Sequence, residues 1–327
     1  MTGAGPTTSS CGGIATMTEP TSIVESPGGL KRLPLRLAVV QKLFRWRILR
    51  IPNGHYYSPV PSMRQVRRDR ARIFDRSRDD IPGIDLHADE QLALLKQLAV
   101  FFADQPFPDT RKGGIRYFFN NEWFGRADAI FLYSMIRQFR PRRIIEIGSG
   151  FSSAVMLDTN ERFFDRTIRL TYIEPNSARL RKLLRPEDYA TVTVIEKPIQ
   201  RVDPTAVQKL QTNDMLFIDS SHVSKVGSDV NHIVFELLPR LAPGVVVHFH
   251  DVLFPFEYRQ DWLELGVYWN EPYLLRAFLQ YNATFRIRLW NDYLTTFHAD
   301  AIRAVMPRCT ERLRGVGGSL WLQKMAS

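Results

Sequence analysis

Two short stretches of this chain carry the side chains best suited to chemistry. Asp219-Ser220-Ser221-His222 closes an apolar run at 215–218, and His250-Asp251 closes another at 245–249. An imidazole that titrates near neutrality can take a proton from a hydroxyl as its oxygen attacks an electrophile. His222 and His250 are the candidates for that base, with Asp251 beside them. The same groups offer a second chemistry. Asp219, Asp251 and the His250 imidazole could hold a divalent cation such as Mg²⁺, which would lower the hydroxyl's pKa. A third reading has them only bind a cofactor or brace loops, and the residues leave all three open. Side chains alternate along a strand, so His248 shares a face with His250 but lies deeper, where a hydrogen-bonded core residue belongs.

For these groups to meet, strands must deliver them to one edge of a sheet. Strand patterns at 144–147, 168–174, 191–196, 215–219 and 245–250 alternate with helical ones at 151–164, 177–184, 204–210 and 226–241. That alternation predicts a doubly wound α/β fold with right-handed crossovers and a mostly parallel sheet. After a helix around 272–280, residues 285–290 and 319–323 read as two further strands, an antiparallel edge that brings the total to seven. In such sheets ligands bind outside the carboxyl ends of the strands, where Asp219, His222, His250 and Asp251 fall.

The first strand ends in Glu146-Ile147-Gly148-Ser149-Gly150. Glycines suit a turn that needs positive φ and a close ligand approach. A dinucleotide fingerprint puts Gly or Ala three residues after the second glycine, whereas this chain has Ser153. A carboxylate at Glu146 would repel a pyrophosphate and attract an ammonium. Those features favour S-adenosylmethionine (SAM), whose carboxylate would use free N–H groups at Gly148, Ser149 and Gly150 before the helix. Glu174, closing the second strand, is placed to accept hydrogen bonds from ribose hydroxyls. Ile199, after the third strand, could edge the adenine, and Asp219 would stand near the sulfonium.

Across 327 residues the hydrophobic content is 44% and the charged content 24%, ordinary for a globular protein. Two cysteines give no disulfide framework, and no apolar run is long enough to span a bilayer; both predict a cytoplasmic protein. Residues 1–30, rich in Gly, Ser, Thr and Pro, predict a disordered tail. The net charge of +10 is concentrated between 31 and 78, where fourteen basic residues face two acidic ones. Helices are expected at 35–50, 64–78 and 86–102. The basic stretch could meet an anionic surface or nucleic acid, or only form a solvated face. The aromatic run 117–124 reads as a plug on the sheet or as a ligand contact. Residues 254–258 through 269–271 could form a substrate lid.

Taken in order, Glu146-Ile147-Gly148-Ser149-Gly150, Tyr172-Ile173-Glu174, Phe217-Ile218-Asp219-Ser220-Ser221-His222 and His248-Phe249-His250-Asp251 resemble the motifs of class I SAM-dependent methyltransferases. Within that superfamily the chain is most similar to bacterial O-methyltransferase-like proteins with Asp-x-x-His and His-Asp at these strand ends. The resemblance covers residues from about 127 onward. It implies a Rossmann-like, seven-stranded methyltransferase sheet at 126–327, preceded by a basic, mostly helical extension at 31–125. It also implies SAM as cofactor and O-methylation of a small-molecule or glycan-type hydroxyl. Some related enzymes use acidic residues here for Mg²⁺, and His250 departs from their all-carboxylate set. Two other functions fit less of the pattern. One is a non-catalytic module binding RNA or an anionic surface through the basic arm, and the other is an NAD-dependent oxidoreductase.

Overall fold

Strand β1, Arg143–Ile147, has Ile at three of its five positions, and every residue from Ile144 onward is buried. A strand covered on both faces takes parallel neighbours joined through crossover helices, and β1 has one on each side. The computed structural model describes residues 51–310 and 317–326. The expected tail at 1–30 and the helix at 35–50 lie outside the described residues.

Before β1 come helices α1 (Met63–Arg68), α2 (Arg70–Ile73), α3 (Ala88–Ala99) and α4 (Arg126–Phe139). After it the chain alternates through α5 (Phe151–Phe163), β2 (Arg169–Ile173), α6 (Ala178–Arg181), β3 (Val192–Ile195), α7 (Thr205–Gln208), β4 (Met215–Ile218), α8 (Asp229–His232) and β5 (Val246–Phe249). It ends with α9 (Gln260–Glu264), α10 (Glu271–Leu279), β6 (Phe285–Trp290), α11 (Asn291–Phe297), α12 (Ala299–Val305) and β7 (Leu320–Lys324). The seven strands form one sheet in the order β3-β2-β1-β4-β5-β7-β6. The first five strands are parallel, and β7 inserts antiparallel between β5 and β6. Strand order reverses between β1 and β4, so the crevice for a ligand opens at their carboxyl ends.

Several local expectations need correction. The helix expected at 226–241 starts at Asp229, where the Ser228 side chain accepts the Asn231 N–H at 3.2 Å. It widens to a π turn over Ile233–Leu237 and tightens to a 3₁₀ turn over Leu238–Arg240. Pro239 explains the change, because its ring has no N–H and crowds the carbonyl four residues back. The helix expected at 64–78 breaks at Asp69 and stops at Ile73, with Val66 its one buried residue; without an apolar face, packing does not extend it. Helices α11 and α12 between the last two strands had no counterpart in the sequence reading. In the aromatic run, Tyr117, Phe119 and Phe124 are buried as a plug, while Trp123 stays 61% exposed.

The boundary drawn at residue 125 does not divide the fold, since residues 53–327 form one compact unit. Helix α3 buries Gln91, Leu94, Leu95 and Leu98. The Gln91 amide joins it to the sheet, donating to Leu86 O at 2.6 Å and accepting from Trp290 N at 2.8 Å. Arg116, almost wholly buried, pairs with Asp158, Glu161 and Asp188 at 2.8 Å each. In the described part of the basic stretch, Arg68, Arg76 and Arg78 pair with Asp69, Asp292 and Asp80.

Candidate active site

The turn after β1 brings two backbones together. Gly148 has φ +82°, and a Cβ there would stand 1.8 Å from the Asp219 carbonyl oxygen, so only glycine fits. Asp219 N–H donates to Ile147 O at 2.9 Å, and Gly148 N–H to Ile173 O at 3.1 Å. Glu174 fixes the next residues by accepting from Ser149 N–H at 3.0 Å and Asn176 N–H at 2.7 Å. Gly148, Glu174, Ile199 and Asp219 line a cleft of about 370 Å³. Ser149, Gly150 and Asp219 also line a second cavity of about 250 Å³, reached past Trp123 and Trp269.

Glu146 does not face either cavity. It is fully buried, and its two carboxylate oxygens accept the Ser152 and Ser153 hydroxyls. Ser153 Oγ in turn accepts the Gly150 N–H at 3.1 Å. The serine in place of the fingerprint's third glycine is therefore part of the turn's own hydrogen bonding. Burial, against the pull of those two hydroxyls, pushes the Glu146 carboxyl up to about 8, which weakens its charge near neutrality. The electrostatic role expected for it toward an ammonium is corrected accordingly. A carboxyl with a raised folded value stabilises the fold fully below its unfolded value of about 4.3 and loses that contribution as pH rises through about 8. Glu146→Gln, which cannot ionise, is expected to fold and to flatten that decline in urea-melt series between pH 4.5 and 8.5. A decline that persists in the variant would place the ionising group elsewhere.

The four strand-end residues do meet. His222 Nε2 lies 3.3 Å from Asp219 Oδ1 and 4.0 Å from Asp251 Oδ2, and His250 Nε2 lies 3.5 Å from Asp251 Oδ1. His222 and Asp251 both hold positive φ, 57° and 55°. Side-chain-bearing residues adopt that conformation at a cost, and such strain concentrates at functional sites. Gly318 lets the Asp251 backbone in, since a Cβ there would meet Asp251 Cα at 2.6 Å. Phe124 lies 5.2 Å from the His250 ring, and Trp269 lies 4.5 Å from His222.

What the sequence did not single out is Glu271. Its buried carboxylate takes the His222 Nδ1–H at 2.8 Å across 49 residues. The first residues of α10 hold the loop as well: Asn270 N–H and Glu271 N–H both donate to His222 O at 3.1 Å. The segment 269–271 carried only the lid expectation. Burial disfavours a charged His222, but hydrogen bonds and charge from Asp219 and Glu271 outweigh it, pushing the imidazole well above its ordinary value. Burial is likewise outweighed at His250, where Asp251, Asp219 and Asp128 raise it. Despite burial, His250 and His222 hold Asp219 below the carboxylate range. The base of ordinary pKa expected from the sequence is corrected to one whose pKa these carboxylates raise. His248 is a core residue as expected, bonded to Ser319 Oγ at 2.9 Å and stacked 3.8 Å from Phe217, with burial pushing it well down.

Asp219, His250 and Asp251 were the candidate metal set. Among the described residues, no group of three or more His, Cys, Asp or Glu side chains is disposed to hold a metal ion. Asp219 and Asp251 both lie near the His222 imidazole, whose Nε2 is 3.3 and 4.0 Å from their carboxylate oxygens.

Comparison with known proteins gives the family. Residues 145–252 match a family described as a methyltransferase domain. An uncharacterized protein of Archaeoglobus fulgidus is 36% identical over 166 residues, spanning 50% of this chain and 74% of that protein. Among solved structures, the S-adenosylhomocysteine (SAH)-bound methyltransferase PaMTH1 of Podospora anserina is 15% identical with a TM-score of 0.40, covering 80% of this chain and 96% of its own. The O-methyltransferase TomG of Streptomyces achromogenes, in complex with SAM, is 17% identical with a TM-score of 0.39, covering 73% and 91%. Among the described residues no helix is long and apolar enough to cross a membrane. With the methyltransferase-domain match lying over the glycine turn and the ends of β4 and β5, the chain belongs to the class I SAM-dependent methyltransferases.

Proposed function

We propose that this enzyme methylates a hydroxyl oxygen of a small molecule or glycan, with His222 as general base and Glu271 as the residue that positions it. The observation that carries the reading is the His222 ring itself. Its Nδ1 is held at 2.8 Å by a buried carboxylate, while its Nε2 faces the cavity beside Asp219 and Asp251. That arrangement fixes the ring so that only Nε2 exchanges a proton with a ligand. SAM, when bound, supplies an electrophilic methyl on a cationic sulfur. His222 then feels less of the field that keeps it protonated, because Asp219 and Asp251 share their charge with a second cation. Its Nε2 takes the acceptor's proton while Nδ1–H stays on Glu271. Holding the acceptor in line supplies the larger part of the acceleration.

Gly148, Ser149, Gly150, Glu174, Ile199 and Asp219 are the residues we assign to the cofactor, because they line the two adjoining cavities at the β1/β4 switch. Glu174→Ala is expected to weaken SAH binding by about 1.5–3 kcal/mol, the size of hydrogen bonds to a charged group. Calorimetry alongside a ligand-free melt separates ligand contact from bracing of Ser149. An unchanged affinity would remove Glu174 from the cofactor set.

The function itself is tested with radiolabelled SAM against a panel of phenols, catechols and saccharides, with and without EDTA. Label is expected on oxygen and is expected to survive chelation. Transfer that disappears with EDTA and returns with Mg²⁺ would overturn the base mechanism, and label found only on nitrogen or carbon would overturn O-methylation.

A further inference from the structure

The loop after β5 and the segment after α2 line a cavity that the transfer chemistry does not use. It spans about 460 Å³ and shares no lining residue with either cavity at the β1/β4 switch. Its walls are Phe74, Leu253, Phe254, Pro255 and Tyr258, joined by Gln260 at the start of α9.

Every charged side chain on that lining already has a partner. Arg76 pairs with Asp292 at 2.6 Å, Arg259 with Asp261 at 2.7 Å and Glu264 with Arg67 at 3.6 Å. Glu257 accepts the Tyr273 hydroxyl and the Tyr258 N–H. An ionic ligand would compete with those pairs, so the lining suits a neutral one. Two buried polar atoms of lining residues are left over: Arg76 Nε and the Tyr258 hydroxyl have no hydrogen-bond partner among the described residues. Both can donate, and a buried tyrosine hydroxyl ordinarily finds a partner. Apolar walls with a small number of placed polar groups are the usual form of a small-molecule site. The complement of this one is an apolar ring that carries an acceptor oxygen.

Tyr258 also ties this cavity to the one beside His222. It is 1% exposed, and its ring packs 5.8 Å from Trp262 and 5.9 Å from Trp269. Trp269 in turn lines the 250 Å³ cavity and lies 4.5 Å from the His222 ring. We propose that the 460 Å³ cavity is a second ligand site, which takes a neutral aromatic molecule through an acceptor oxygen held by Tyr258 and Arg76. Its occupancy is felt at the catalytic edge through the Tyr258–Trp269 contact. That link to catalysis rests on the methyl-transfer role proposed for the His222 cavity; the binding site does not.

NMR titrations test it with three probes of one shape: acetophenone, α-methylstyrene (a methylene in place of the oxygen) and benzoate (charged). Wild type is expected to bind acetophenone about 5- to 10-fold more tightly than α-methylstyrene, the size of a net hydrogen bond, and more tightly than benzoate. Tyr258→Phe keeps the ring and should bring acetophenone down toward α-methylstyrene. Gln260→Trp fills the cavity from a surface helix and should abolish binding of both. The Trp269 indole N–H resonance, assigned by its absence in Trp269→Phe, should shift with acetophenone in wild type and stay in place in Gln260→Trp. Equal binding of acetophenone and α-methylstyrene, a preference for benzoate, or no binding at all overturns the site. A Trp269 shift that persists in Gln260→Trp puts the probe in the His222 cavity and overturns it too. Binding that leaves Trp269 unmoved in wild type refutes the coupling alone. Thermal melts establish that each variant folds, and the Tyr258→Phe comparison decides the site if Gln260→Trp does not.

Discussion

His222→Gln is expected to lower turnover by about 10²- to 10⁴-fold, the usual size of a general-base contribution, while SAH still binds. Glutamine keeps hydrogen-bonding capacity toward Glu271 but cannot accept and hold a proton. The pH profile carries the stronger test. Below its raised folded value His222 is protonated and cannot act as base, so wild-type kcat/KM, which reports the free enzyme, should climb with pH through a value above the ordinary 6.5. Stability runs the other way. The contacts of imidazolium with Asp219 and Glu271 stabilise the fold fully below about pH 6.5, and that contribution is lost as pH rises through the raised value. Glu271→Gln removes one of the two carboxylates, and its rising limb should move to lower pH together with a reduced kcat. A limb that stays in place in Glu271→Gln, or a His222→Gln enzyme with wild-type turnover, would show that the proton leaves by another group.

Gly148→Ala is expected to cost the most for the smallest chemical change. The added methyl would sit 1.8 Å from the Asp219 carbonyl oxygen at a residue with φ +82°. Positive φ costs an alanine about 1–2 kcal/mol, and forcing a packed backbone apart costs about 1–3 kcal/mol more. A loss of about 2–5 kcal/mol should appear in urea denaturation. Because the displaced oxygen belongs to Asp219, the β4 end shifts with it, and SAH binding should fall below detection even where the variant remains folded. A variant with wild-type melting and affinity would mean that the two strand ends approach less closely than the structure places them.

Local signals decided the frame. Alternating strand and helix patterns, and a glycine turn after the first strand, give the doubly wound sheet because they depend on neighbours within a few residues. The same reasoning placed Asp219, His222, His250 and Asp251 at carboxyl ends of adjacent strands, where β4 and β5 pair in register. It also placed His248 in the core from alternation alone. Where a helix was bounded by chemistry rather than period, as at Asp69 or around Pro239, the sequence reading ran past the break.

Protonation and partnership were decided by the tertiary structure. Glu146 reads as a charged ligand contact in isolation, yet the fold buries it under two serines and pushes its carboxyl up to about 8. His222 reads as an imidazole of ordinary pKa, yet Asp219 beside it and Glu271 from 49 residues away raise its pKa. Charge state depends on burial and on groups distant in sequence, which residue spacing does not encode. The sequence by itself therefore determined the sheet and the strand ends that carry the chemistry. Only the packing of α5, α6 and α10 against those ends decided which side chains are charged there and what they can hold.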